Sequence, residues 1–146
     1  MEQISKYVAV ILSAFLLSAG FSNATTQPPA VGEVLPDISL AVPKNADHQR
    51  YLGVAGKASF TIPEIKADVV IIQIFSMYWP FCQREAPSIN EMFSKIESDQ
   101  QLKGKVKLLG IGAGNSAFEV GYFKNTYNIP FPLFPDSDFS IHQKIG

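Results

Sequence analysis

Residues 69–87, reading Val-Val-Ile-Ile-Gln-Ile-Phe-Ser-Met-Tyr-Trp-Pro-Phe-Cys-Gln-Arg-Glu-Ala-Pro, constrain what this chain can fold into more than any other stretch. Val69, Val70, Ile71, Ile72, Ile74 and Phe75 form a nearly continuous β-branched and aromatic run, the pattern of a strand buried on both faces of a sheet. After Ser76 the period changes. Cys82, Ala86, Ile89, Phe93 and Ile96 follow steps of four and three, which aligns them on one face of a helix from about Cys82 to Gln100. Glu85, Lys95, Glu97 and Asp99 lie largely off that stripe. A strand thus feeds a helix through a short loop with Pro80, and the chain's single cysteine, Cys82, falls near the helix start. Free N–H groups and the helix dipole favour negative charge there.

The bulk of the chain allows one domain. Its 146 residues can bury a sizeable core, and 47% apolar with 17% charged residues describes a globular protein. A net charge of −1 gives no electrostatic reason to bind nucleic acid. Residues 1–24 read as a signal peptide: Lys6 and the α-amino group are the positive start, Tyr7–Leu17 is apolar except for Ser13, and Ser22-Asn23-Ala24 offers a cut after Ala24. The competing reading is an uncleaved anchor, the one route to a membrane, but its apolar run falls short of the about 20 residues that span a bilayer. No cysteine near the cut could carry a lipid. Residues 25–32, with Pro28-Pro29, form a flexible lead-in to a domain over 33–146. Export implies an oxidising space where cysteines pair, yet Cys82 has no partner in this sequence. It is buried and inert, reactive with another molecule, or a relic.

Trp79-Pro80-Phe81-Cys82-Gln83-Arg84-Glu85-Ala86-Pro87 resembles the active-site segment of the thioredoxin-like TlpA/redoxin (AhpC/TSA-type) family, whose usual form is Trp-Cys-x-x-Cys-x-x-Glu-x-Pro. The resemblance runs from about Val31 to Gly146. It implies that Cys82 stands at the resolving cysteine and that Trp79 stands where the attacking cysteine belongs. Glu33–Leu40 resembles the opening of redoxin domains, Asn128–Asp136 their short strand before a turn, and Phe139–Gly146 the start of the next helix. Val106–Ile111 reads as a second strand beyond Gly104. Asn115 or Ser116 caps a helix to about Tyr127, with Phe118, Tyr122 and Phe123 on or near its packing face. The expectation is an α/β, thioredoxin-like fold with a parallel sheet and right-handed crossovers. The family continues with a cis-proline loop, a strand pair and a last helix, so the resemblance implies a domain incomplete at its C-terminus. Val69–Phe75 would then lack its usual neighbour and expose an edge open to pairing.

Upstream, Asp37–Val42 reads as an edge strand, Pro43–Arg50 as a polar turn, Tyr51–Ile62 as one or two short strands broken at Gly53 and Gly56, and Pro63–Asp68 as a turn. Gly110-Ile111-Gly112-Ala113-Gly114 is superficially like a dinucleotide loop. It lacks the full spacing and the later acidic residue, and reads as strand exit and loop.

Thiol–disulfide exchange needs one thiol to attack and a second to resolve the mixed disulfide. The resemblance therefore implies a thiol–disulfide oxidoreductase or antioxidant-type domain, exported, with dithiol chemistry lost. The alternative is a redox-inactive thioredoxin-like binding or scaffold module. A one-cysteine peroxidase is the third reading; its motif places proline seven and threonine three residues before the cysteine, where this chain has Phe75 and Trp79. Partners on these readings are protein thiols or disulfides, or a protein bound at Tyr78, Trp79, Pro80 and Phe81; the bland alternative is that these rings fill the space of the lost cysteine. No cofactor or metal is expected, since His48 (a solvated loop histidine) and His142 (in a helical turn) have no Cys/His ligand spacing. Arg84 reads as a solvated charge, and Glu85 as a complement to the helix dipole.

Overall fold

The computed structural model describes residues 27–146; the segment read as a signal peptide and its expected cut lie outside them. The β-branched run forms β3 (Val69–Phe75), and the helix after it is α2 (Pro80–Ser98). It starts two residues earlier than the apolar stripe suggested because Pro80 fits the first helical position, where no N–H is needed. A second strand, β4 (Val106–Ala113), runs parallel to β3 with Val69 opposite Val106 and Phe75 opposite Gly112. Helix α3 (Ala117–Thr126) then leads to β5 (Leu133–Asp136), parallel to β4, and α4 (Ser140–Ile145) closes the described chain. The sheet order is β3-β4-β5, so β4 is central.

That order corrects one reading. The strand buried on both faces is β4, where Leu108, Leu109 and Ile111 are fully buried. In β3 only Phe75 is buried, because among the described residues this strand is hydrogen-bonded along one side alone. Leu35, Ile62, Pro63, Val70 and Ile72 help line an open groove of about 520 Å³ beside it.

Both faces of the sheet are covered. On one face Leu108 and Phe75 pack with Cys82 and Ala86 of α2, Val120 and Phe123 of α3, and Phe131. On the other, Leu109, Ile111 and Phe134 meet an N-terminal layer through Ile38, Leu40, Leu52 and Phe60. This layer is a two-stranded antiparallel sheet of β1 (Ser39–Ala41) and β2 (Ser59–Thr61), with α1 (Ala46–Leu52) between them.

Helix α1 replaces the polar turn expected over Pro43–Arg50 and takes Tyr51 and Leu52 from the expected strand. Its signals are local: the Asn45 side chain accepts the N–H groups of Asp47 and His48 at 2.7 and 3.1 Å, and Gly53 ends the helix at φ 73°. Leu52 is its buried anchor. Tyr51 bonds to the sheet, its hydroxyl accepting the Leu108 N–H at 2.7 Å while its ring lies 4.1 Å from Lys107 Nζ. Burial pushes the Tyr51 phenol up to about 12, against the opposing pull of that Leu108 hydrogen bond.

In α3 the cap is Ser116, whose hydroxyl accepts the Glu119 N–H while Glu119 reaches back to the Ser116 N–H. Its packing residues are Val120 and Phe123; Phe118 and Tyr122 are exposed, contrary to the expected face.

Candidate functional site

The site forms where the chain leaves β3 and enters α2. Ser76 is buried at the strand end, and its carbonyl accepts the Trp79 N–H at 3.1 Å, closing a tight turn. Met77 is held on both sides of its backbone. Its N–H donates to Asn115 Oδ1 at 2.8 Å, and its carbonyl accepts from Gln83 Nε2 at 2.7 Å. Trp79 is the N-cap of α2, with extended φ and ψ of −88° and 119° and no side-chain capping bond. Its carbonyl takes the Gln83 N–H at 3.2 Å.

Pro80, Phe81 and Cys82 are the first three helical residues. Cys82 therefore lies one turn behind Trp79 on the same side of the helix. It is 8% exposed, a free thiol set among Phe75, Ala86, Leu108 and Phe131. The rings around it take the opposite course: Tyr78 and Trp79 are each 61% exposed and Phe81 is 70% exposed. These three rings do not fill an interior space. Arg84 is exposed, as expected of a solvated charge, and its guanidinium lies over the Phe81 ring, 4.4 Å from the centroid. Glu85 is exposed in the second turn, beyond the end of the helix where the dipole acts most strongly.

Glu119, at the start of α3, accepts the Tyr78 hydroxyl. That bond first, and then the Ser116 N–H and hydroxyl, hold Glu119 below the usual carboxylate range, and the same carboxylate raises the Tyr78 phenol. The loop is thus tied at two points, to Asn115 in the connection between β4 and α3 and to Glu119 in the first turn of α3.

Beside Trp79 is a mostly apolar cavity of about 220 Å³, bounded by Ile74, Phe75, Ala113, Phe139 and His142. His142 sits in α4, where its N–H donates to Asp136 Oδ2 at 2.8 Å. This brings it near the site, a placement its sequence context did not signal. His48 goes elsewhere. It is half-buried in α1 rather than a solvated loop residue, and Pro130 and Lys124, at the far end of α3, are its neighbours. Lys124 Nζ donates to the carbonyls of Ile129 and Phe131, each at 2.6 Å, while burial pulls its ammonium down to about 8. Among the described residues, no group of histidine, cysteine and carboxylate side chains is arranged to hold a metal ion. None of the described helices is long and apolar enough to cross a membrane.

Asn115 is the residue that reading the sequence undervalued. Ser116 and not Asn115 caps α3; Asn115 is fully buried and bonded to a loop 38 positions earlier. The signal was its place directly after the glycine-rich strand exit. A Cβ on Gly112 would lie 3.1 Å from the Asn115 side chain, so glycine there makes the space.

A family model described as the AhpC/TSA family matches residues 31–146. No curated protein matches the chain. Among solved structures, a candidate protein disulfide isomerase from Bacteroides thetaiotaomicron aligns with a TM-score of 0.59 and 19% identity, over 79% of this chain and 63% of that one. A secreted Mycobacterium tuberculosis disulfide oxidoreductase, described as homologous to E. coli DsbE, aligns with a TM-score of 0.52 and 18% identity, over 73% of this chain and 66% of that one. An uncharacterized conserved protein from Geobacillus kaustophilus gives 0.55 and 15% identity, over 78% of this chain and 56% of its own. The chain spans between about half and two thirds of the length of these structures, and at such identities the likeness is one of fold.

Proposed function

The chain belongs to the AhpC/TSA family and has a thioredoxin-like fold, and on that footing we propose that its thiol–disulfide site no longer runs a dithiol cycle and serves to bind a protein partner. The observation that carries the reading is the residue at the helix start. Trp79, exposed at the N-cap, occupies the place from which a thiol would attack, with Cys82 buried one turn behind it. Indole is neither nucleophilic nor exchangeable with a disulfide, so Cys82 has the resolving position and nothing to resolve. A peroxidase reading gains no support, because position 79 lacks the hydroxyl that would orient peroxide.

The binding half of the proposal rests on the exposure of Tyr78, Trp79 and Phe81, which flank Pro80 at the start of α2. Exposed aromatic rings on a fixed turn are the usual anchors of protein interfaces. A partner that offers a thiol or disulfide suits the ancestry of the site, but on this proposal it is bound and not turned over.

The test is steady-state disulfide reduction with a dithiol donor. The parent and Cys82→Ser are expected to be equally silent. Turnover by the parent that Cys82→Ser abolishes would sink the proposal in favour of a one-cysteine mechanism.

We also propose export, with a mature chain starting at Thr25, on the strength of residues 1–24. N-terminal sequencing of protein from an exported fraction is expected to begin at Thr25. An intact Met1 in a soluble cytoplasmic pool would count against it.

A further inference from the structure

We infer that Asn115 is the positioning residue of this site: its carboxamide fixes the Met77 peptide and thereby the stance of Tyr78 and Trp79 on the binding face. This rests on the binding reading above, but its test does not depend on a partner. Asn115 is fully buried, and a buried carboxamide must spend its hydrogen-bonding groups well. Its Oδ1 takes the Met77 N–H at 2.8 Å; its Nδ2 makes a longer contact of 3.4 Å to Ser76 Oγ. Its own N–H donates to the Gly112 carbonyl at 3.0 Å, which anchors the residue on β4, the most buried strand. The Met77 carbonyl is taken by Gln83. The two peptides that flank the Met77 Cα are therefore held, the one before it by Asn115 from the end of β4 and the one after it by Gln83 of α2, two residues from the position of the lost nucleophile.

The glycine-rich strand exit has its use here. Gly112 leaves room for the Asn115 side chain, and Gly114, at φ 67°, turns the chain so that the next residue points inward beneath the loop. The segment that is superficially like a nucleotide loop supports instead a carboxamide that holds a different loop. Tyr78 adds a second tie through Glu119, but that bond is on the exposed side and holds a ring, not the backbone.

Trp79 is the chain's single tryptophan, so its fluorescence anisotropy decay reports on this loop without labelling. In Asn115→Ala the fast-moving Trp79 population is expected to rise about fivefold, the weight of one net hydrogen bond. Ser76→Ala, which removes only the longer contact, is expected to match the parent. Leu109→Ala, a core truncation on the other face of the sheet, is expected to lower stability and leave Trp79 unchanged. Should Asn115→Ala fail to fold, Asn115→Leu takes its place, filling a similar volume without the acceptor. The inference is overturned if the folded Asn115 variant keeps the parental decay, or if Ser76→Ala or Leu109→Ala moves Trp79 as much. Disulfide turnover by the parent would end the binding reading and leave this result standing.

Discussion

Truncating the two residues that face each other across β3 and β4 tests the architecture most sharply. Ile72 and Leu109 are paired in the parallel register and contribute to the same side of the sheet. Leu109 is fully buried, so Leu109→Ala leaves a cavity as well as losing transfer energy, and is expected to cost about 3 kcal/mol within the usual range of roughly 2–5. Ile72 is half-buried and lines the open groove, where water can occupy the vacated volume. Only the transfer part is lost. At about 0.8 kcal/mol per buried methylene, and with about half of the side chain covered, Ile72→Ala is expected to cost roughly 1 kcal/mol. The difference of about 2 kcal/mol corresponds to about 1 M in urea midpoint for a domain of this size, with the slope unchanged. A loss of 3 kcal/mol or more at Ile72 would refute the reasoning, because it would mean that the outer edge of β3 is covered in solution.

Two further outcomes follow from named contacts. Ser116→Ala removes the hydroxyl that caps α3, and is expected to cost about 1 kcal/mol; an unchanged urea midpoint would deny the cap its role. His48 is held below its usual 6.5 by burial first and the Lys124 ammonium second, with the Pro130 carbonyl and Asp47 opposing. The folded value being the lower one, the unfolded chain binds the extra proton, so this stability is full above the usual value and is lost as pH falls through the folded one. His48→Gln is expected to flatten that decline in urea midpoint, and parallel curves for parent and variant would show that His48 does not set it.

The parts legible in the sequence were those with a strong period or cap. The β-branched run gave β3 its ends, the four-three stripe gave α2 its face, and Ser116 gave α3 its start. What stayed hidden depended on distant residues. Nothing local distinguishes a central strand from an edge strand, so the more continuous apolar run, β3, looked the more buried, although β4 holds the centre. Helix α1 is seven residues long with one buried side chain, too short for a period, and only Asn45 and Gly53 marked its ends. In the site, the relation of Trp79 to Cys82 is helical and local, hence readable. Asn115 and Glu119 reach it across the sheet crossover, and His142 comes beside Trp79 only through the packing of α4.

The central claim is that position 79 is the seat of a missing thiol, in working geometry with Cys82. The most direct measurement is a free-thiol titration of Trp79→Cys before and after mild oxidation, alongside the parent. The variant is expected to lose two titratable thiols by closing an internal disulfide, while the parent shows one thiol and forms no internal bond. If both thiols of the folded variant stay free under oxidation, the two positions do not stand in that relation and the account is contradicted.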